Sequence, residues 1–138
     1  MPRFDLHHKA VKNALIKDGW TITHDPFVLS YKGTFLFADL GGEKIFSAKR
    51  EEKNIVVEIK TFSKNSQMSD FEKALGQYII YQFFLERNSL DRILYLAISE
   101  ETYDDFFQKP AIQDLVVSLS INLLVFDHQK EKIILWTN

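Results

Sequence analysis

Three charged residues interrupt two otherwise apolar, strand-like segments of this chain. Glu58 and Lys60 lie two positions apart in the β-branched run at residues 54–62, and Asp39 lies in the apolar run at residues 35–40. Because side chains of a strand alternate between its two faces, Glu58 and Lys60 are expected to point the same way. Charged groups are costly to bury without partners. An Asp, a Glu and a Lys converging on one sheet are therefore candidates for a metal-dependent phosphodiesterase site.

The chemistry of phosphodiester hydrolysis explains why these residue types matter. A divalent cation neutralises charge and lowers the pKa of the attacking water. Mg²⁺, or Mn²⁺ in its place, prefers oxygen ligands and keeps several waters, so that one or two carboxylates suffice. Asp39 and Glu58 are the predicted carboxylate ligands, and the backbone carbonyl of Ile59 is a third candidate. The ammonium of Lys60 is predicted to orient the water or to stabilise the transition state.

A plainer interpretation of the same residues stays open. An acid and a lysine two positions apart are common in charged proteins, and Glu58 and Lys60 could form an ion pair on a solvated sheet face. Such a pair would contribute little to stability and nothing to chemistry. The separate strand that carries Asp39, and the long helix that follows Lys60, favour the site.

The composition is that of one globular domain, residues 1–138. The absence of cysteine excludes disulfides, thiolate metal sites and cysteine nucleophiles. The N-terminus lacks the apolar core of a signal peptide, and no stretch approaches the ~20 apolar residues of a membrane span. We therefore expect a cytoplasmic protein without membrane contact. A net charge of −2 does not favour autonomous DNA binding through phosphate contacts alone.

The hydropathy pattern predicts alternating strands and helices. Apolar residues recurring at helical spacing predict helices at residues 6–18, 70–87, 100–108 and 110–119. Short β-branched and aromatic runs predict strands at residues 20–24, 27–31, 34–40, 43–48, 55–62, 92–98, 121–126 and 132–136. This order predicts a mixed central sheet flanked by helices, an α/β or α+β domain.

Some local predictions concern the surroundings of the candidate residues. Gly41-Gly42 is predicted to end a strand, and the charged run at residues 49–54 to form a loop. The buried side of the long helix is predicted to include six apolar residues: Phe71, Leu75, Tyr78, Ile79, Phe83 and Leu85.

The sequence resembles the PD-(D/E)XK nuclease superfamily, which has the restriction-endonuclease-like fold. The resemblance is carried by Asp39, by Glu58-Ile59-Lys60 and by the following helix with Gln77, although Ala38 replaces the proline of the superfamily's name. More specifically, the chain resembles the XisH family, the fdxN element excision controlling factors of cyanobacteria. The matching segments are residues 11–26, 39–41, 57–60, 74–78 and 92–97.

The resemblance implies an αβββαβ core, with Asp39 on the second core strand and Glu58 and Lys60 on the third. It also implies a role in programmed DNA rearrangement, in which a site-specific recombinase excises a DNA element during heterocyst differentiation. Family members are thought to work beside a companion protein of the XisI family. Domains of this fold often dimerise, so a homodimer is one expectation.

Three neighbours are candidates to complete the site. Gln77, beside Glu58 and Lys60, would orient the water or the scissile phosphate, and Tyr81 shares its helix face four residues on. His8 stands near the start of the first helix, where related nucleases often carry an acidic ligand. A histidine there would ligate a metal or contact phosphate, unless it is only a surface or capping residue.

Two functions compete on this evidence. The first is a Mg²⁺-dependent DNA endonuclease centred on Asp39, Glu58 and Lys60. The second is a catalytically silent accessory protein, whose nuclease-like fold binds a partner and assists the recombinase. The acidic net charge favours the second function.

Overall fold

The fold is a mixed sheet with helices on both faces. The computed structural model of the protein describes residues 4–46, 51–88 and 91–137. In chain order the elements are α1 (Phe4–Lys17), β1 (Thr21–His24), β2 (Phe27–Tyr31), β3 (Thr34–Ala38), β4 (Leu40–Phe46), β5 (Glu51–Ile59), α2 (Gln67–Arg87), β6 (Ile93–Ser99), α3 (Glu100–Asp105), α4 (Pro110–Ser118), β7 (Leu123–Asp127) and β8 (Lys132–Thr137). Among the described residues, no helix combines the length and the apolar character that crossing a bilayer requires.

The main sheet has the strand order β1-β4-β5-β6-β7-β8. Strand β5 pairs parallel with β6, and β6 pairs parallel with β7. The outer pairings, β1 with β4, β4 with β5 and β7 with β8, are antiparallel. The predicted mixed central sheet flanked by helices is therefore confirmed, and β5 lies at its centre.

The sheet separates two apolar clusters, and β5 contributes to both. Val56 belongs to the cluster on the α2 side, whereas Ile55, Val57 and Ile59 belong to the cluster on the α1 side. Coverage on both faces explains why the second half of this strand, from Ile55 to Ile59, is apolar except for Glu58. Because side chains alternate along a strand, Glu58 is in phase with Val56 and lies on the α2 side.

Strands β2 and β3 form a separate hairpin between the main-sheet strands β1 and β4. Its turn is formed by Lys32 and Gly33, and both residues have positive φ. The outer face of the hairpin is apolar and open, with Val28, Phe35 and Phe37 exposed by 49%, 62% and 59%. The hairpin occupies the chain between Asp25 and Asp39, two residues that return in the site below.

The polypeptide around Asp39 differs from its sequence prediction. Strand β3 ends at Ala38 and β4 begins at Leu40, so that Asp39 lies between two strands and not inside one. Gly41 and Gly42 do not end a strand, because both lie within β4 and pair with β5. The two glycines were expected to act as breakers, but β4 needs a residue without a side chain where it passes the hairpin.

Strand β5 is also displaced relative to its sequence prediction. It starts at Glu51, since its charged first half still pairs with β4, and it ends at Ile59, so that Lys60 follows the strand. The predicted loop is therefore wrong from Glu51 onward. The remainder of that loop, and the end of the strand predicted at residues 43–48, fall in residues 47–50, outside the described residues.

Helix α2 begins three residues before its predicted start. In its first turn, the side chain of Asp70 accepts hydrogen bonds from the Ser63 amide at 2.8 Å and the Ser66 hydroxyl at 3.1 Å. Phe71 and Tyr78 are buried as predicted. The same prediction is wrong for Ile79 and Phe83, which are 52% and 44% exposed. The apolar residues of α2 extend around more of the helix than the sheet and the hairpin cover.

Gly41 tests the close approach between β4 and the hairpin. A Cβ atom there would lie 2.7 Å from Cδ2 of the buried Phe27 ring, a distance that forces the ring to shift. We expect Gly41→Ala to lower the free energy of unfolding by about 1–3 kcal/mol in urea denaturation. Gly42→Ala is the matched control, since its Cβ would meet nothing closer than 3.4 Å. Equal stability of both variants and the wild type would contradict the packing described.

Candidate active site

Asp39 is attached to the end of β5 by one hydrogen bond. The Ile59 amide donates to Asp39 Oδ2 at 2.7 Å. The next amide along the chain, that of Lys60, donates to the carbonyl of Ala97 in β6 at 3.0 Å. The carboxylate of Asp39 is therefore held where β5 leaves the sheet, which is where the sequence placed Glu58 and Lys60.

Glu58 is a buried acid, only 7% exposed. Its Oε2 lies 3.3 Å from Nζ of Lys60, whereas its Oε1 is buried and has no hydrogen-bond partner. The ion pair of the plainer interpretation therefore exists, but it is not on a solvated face. An unpaired oxygen in a buried carboxylate is costly unless something binds it.

Both carboxylates bind protons more tightly than usual, chiefly because they are removed from solvent. Burial, with the nearby charge of Asp39, raises the pKa of Glu58 from 4.5 to about 8, although Lys60 acts in the opposite direction. Burial also raises the pKa of Asp39, against the Ile59 hydrogen bond and the charges of His8 and Lys60. Like charges this close cannot both ionise freely without a cation.

His8 lies beside this pair, held by an acid that the sequence analysis did not single out. Its Nε2 lies 2.8 Å from Asp25 Oδ1, and Lys12 donates to Asp25 Oδ2 at 2.7 Å. The other ring nitrogen, Nδ1, is buried without a hydrogen-bond partner and lies 3.9 Å from Asp39 Oδ1. His8 is thus not a surface or capping residue, because one ring edge faces the carboxylates.

Only part of the contact between Asp25, His8 and Lys12 could be predicted from the sequence. His8 and Lys12 are four residues apart, and this spacing predicts that they share one face of a helix. Their common partner lies in the turn before the hairpin, and no local pattern indicates that contact. In the sequence, Asp25 stands before Pro26 in the gap between two predicted strands.

Helix α2 brings Tyr81 to the same region. Tyr81 is 6% exposed, and its hydroxyl donates to the carbonyl of Phe37 at 3.3 Å. Burial, together with the charges of Glu58 and Asp39, raises its pKa to about 12. Gln77, one turn earlier, has a buried Oε1 without a hydrogen-bond partner. Its place in the site stays a prediction, since no contact joins it to the carboxylates.

The residues fit a divalent cation that keeps most of its own waters. In the described part of the chain, no three His, Asp or Glu side chains are arranged to hold a metal ion by themselves. Two neighbouring carboxylates, one with an unpaired buried oxygen, match what Mg²⁺ or Mn²⁺ requires when water completes the shell. The Ile59 amide is used by Asp39, and a ligand role for its carbonyl stays a prediction.

Fold and cluster together define a small α+β protein with a buried acid pair and an ammonium where the central strand leaves the sheet. Comparison with known proteins identifies the family of this chain. The sequence model of the XisH protein family matches residues 1–134. The chain belongs to the XisH family.

Two solved structures are similar over nearly the whole chain. An XisH family protein from Nostoc punctiforme PCC 73102 is 38% identical with a TM-score of 0.87, covering 97% of this chain and 100% of that one. A fdxN element excision controlling factor protein from Anabaena variabilis is 39% identical with a TM-score of 0.87, covering 97% and 99%. A search of curated proteins found no match.

The buried acid pair predicts a pH-dependent stability in metal-free solution. Since the folded-state pKa of Glu58 is raised from 4.5 to about 8, its contribution is fully present below pH 4.5 and is lost as the pH rises towards 8. We expect Tm to fall over that interval with EDTA present. We expect Glu58→Gln to flatten the slope and to raise Tm by several degrees at pH 8.

Thermal unfolding followed by circular dichroism from pH 5 to pH 9 measures this slope. Glu101→Gln is the control, because that carboxylate is exposed and pairs with Lys64. A wild type and a Glu58→Gln variant with the same pH profile would contradict the assignment of a protonated Glu58.

Proposed function

We propose that this protein is a metal-dependent DNA endonuclease of the PD-(D/E)XK type that acts in the excision of a genomic element. The observation that carries the proposal is the cluster of the half-buried Asp39 and Lys60 around the buried Glu58, which has one oxygen unpaired. A purely structural acid in such a position would be expected to have both oxygens satisfied.

Asp39 and Glu58 would hold Mg²⁺ or Mn²⁺. A bound cation would neutralise phosphate charge and lower the pKa of the attacking water. The protein's own residues would contribute to catalysis by holding the charged groups in position. The Ile59 hydrogen bond orients Asp39, and Lys60, at 3.3 Å from Glu58, keeps an ammonium beside the acid pair, available to a phosphate oxygen.

His8, Gln77 and Tyr81 would complete the site around the two carboxylates and Lys60. Asp25 contacts Nε2 of His8, so that the other ring nitrogen, Nδ1, faces Asp39 and would ligate the cation or contact a phosphate oxygen. Gln77 would orient that water or the scissile phosphate through its unpaired carbonyl oxygen. Tyr81 would act by excluding water, because it is buried and bonded to backbone.

The biological setting of the proposal comes from the family. The Anabaena variabilis relative is named a fdxN element excision controlling factor. We infer for this chain a role in the same kind of DNA rearrangement, in cyanobacterial heterocyst differentiation, beside a companion of the XisI family and a site-specific recombinase. DNA is the proposed substrate.

A second function is favoured by two other observations. The net charge of −2 gives the chain no general attraction to DNA, and the hairpin presents Val28, Phe35 and Phe37 to solvent on one face. On this view the protein is catalytically silent, and it binds a protein partner that brings the recombinase to its site.

The first prediction concerns the cation. We expect calorimetry at pH 8 to detect Mn²⁺ binding by the wild type and none by Asp39→Ala or Glu58→Ala, with folding checked by circular dichroism. Because a proton on Glu58 competes with the cation, affinity should fall about tenfold for each pH unit below 8.

Glu101→Ala should bind as the wild type does, since its carboxylate lies on the surface beside Lys64. Absence of binding by the wild type at millimolar Mn²⁺, with and without DNA, would contradict the endonuclease proposal. Binding that persists in Asp39→Ala would place the cation elsewhere.

The second prediction separates the two functions. We expect Lys60→Ala to keep its fold and its Mn²⁺ affinity but to cleave DNA about 10²–10³-fold more slowly, because a preorganised cation is lost from the phosphate site. Supercoiled and branched DNAs with Mn²⁺ supply the assay. Lys64→Ala, four residues on and exposed, is the matched control.

Cleavage by Lys60→Ala at the wild-type rate would remove Lys60 from the mechanism. If the wild type cuts none of these DNAs, and Lys60→Ala still supports excision in cells, the accessory function replaces the endonuclease.

A further inference from the structure

Helix α2 carries an apolar stripe that the sheet and the hairpin leave about half exposed, although Phe83 touches Tyr31 of the hairpin edge-on, with ring centres 5.9 Å apart. Ile79, Ile80 and Phe83 are 52%, 49% and 44% exposed, and Gly76 is exposed on the same face one turn earlier. We call these four residues the α2 stripe. Its midpoint lies between Ile79 and Ile80. Residues with this spacing form the seam where one helix packs on another.

The charges at the two ends of the α2 stripe repeat in the same order. Glu72 and Lys73 precede it, and Glu86 and Arg87 follow it; all four are exposed. Within the residues that the structure describes, none of the four forms an ion pair. Glu72 and Arg87 are equally far from the midpoint of the stripe, and so are Lys73 and Glu86.

We propose that the α2 stripe is the interface of a two-fold symmetric homodimer, in which α2 packs antiparallel against α2 of a second copy. In this arrangement Glu72 faces the partner's Arg87, and Lys73 faces the partner's Glu86. Each pairing occurs twice, because a two-fold interface is self-complementary. Parallel packing would instead place like charges opposite one another.

The shape of the stripe has the same symmetry. Gly76 and Phe83 are equally far from the midpoint, so antiparallel packing places the partner's Phe83 over Gly76. A Cβ at Gly76 would meet nothing within 4 Å, which leaves open space for a ring. Glycine is unfavourable inside a helix, and a close approach by another chain is a physical reason for its presence.

The surroundings of the stripe suit a second helix. A groove of about 500 Å³ runs beside Ile79 and Phe83 and is bounded on its far side by Leu119, itself 44% exposed. The Arg87 guanidinium lies 4.6 Å from the centre of the Phe83 ring, which holds it at the edge of the apolar surface. The match of charge order and shape to the same helix favours a second copy over an unrelated protein.

Charge reversal tests this pairing. We expect sedimentation equilibrium to show a dimer for the wild type, with Kd raised about tenfold or more by Lys73→Glu or by Glu86→Lys, since each creates two like-charge contacts. The double variant Lys73→Glu/Glu86→Lys should restore the wild-type Kd. Lys132→Glu, an exposed reversal on β8, is the control.

Cross-linking supplies an independent readout, because the chain contains no cysteine. We expect Ile80→Cys, beside the two-fold axis, to form a disulfide dimer rapidly on mild oxidation. Val117→Cys, at a residue 78% exposed on α4, should form one slowly. Circular dichroism checks that each variant is folded.

Two results would overturn the proposal. One is a wild type that sediments as a monomer at about 100 μM, well above the Kd of a stable dimer. The other is a dimer whose Kd is unchanged by both single reversals, or is not restored by the double variant. In either case the α2 stripe would be left for a different protein. Neither result bears on the endonuclease proposal, which is tested by metal binding and cleavage.

Discussion

The hydrogen bond from the Ile59 amide to Asp39 is the constraint on which the site depends. It brings an acid from the segment between two strands to within reach of a second acid, Glu58, at the end of the central strand. Burial, together with the charge of Asp39, raises the pKa of Glu58, and both Lys60 and the Nδ1 atom of His8 lie close to the acid pair. The same bond supplies a donor to the Asp39 carboxylate, whose side chain is only 25% exposed.

Much of the fold could be predicted because buried strands have a recognisable pattern of apolar residues in the sequence. Strands β5 and β6 are covered on both faces, so their runs of β-branched and apolar residues are unambiguous. Strand alternation predicted that Glu58 and Lys60 point the same way, and their ion pair agrees with this although Lys60 follows the strand. Family membership followed from segments spread along the chain, and a family match over residues 1–134 confirms it.

Other features depend on contacts that are distant in sequence. Gly41 resembles a strand breaker until the Phe27 ring is seen to need its missing side chain. Ile79 and Phe83 fit the helical period of buried residues, but the period does not say how wide the covering surface is. Asp25 meets His8 and Lys12 across a turn, and only the assembled structure brings them together.

The β2–β3 hairpin has a mechanical consequence. Its two ends continue directly into Asp25 and Asp39, which flank His8, and its strands are tied to α2 through the Tyr81 hydroxyl and the Asn88 amide. The same short segment therefore carries both acids at its ends and the exposed phenylalanines on its outer face. The spacing of Asp25 and Asp39 depends on how the hairpin is anchored, and a partner bound to its outer face would contact the segment that sets this spacing.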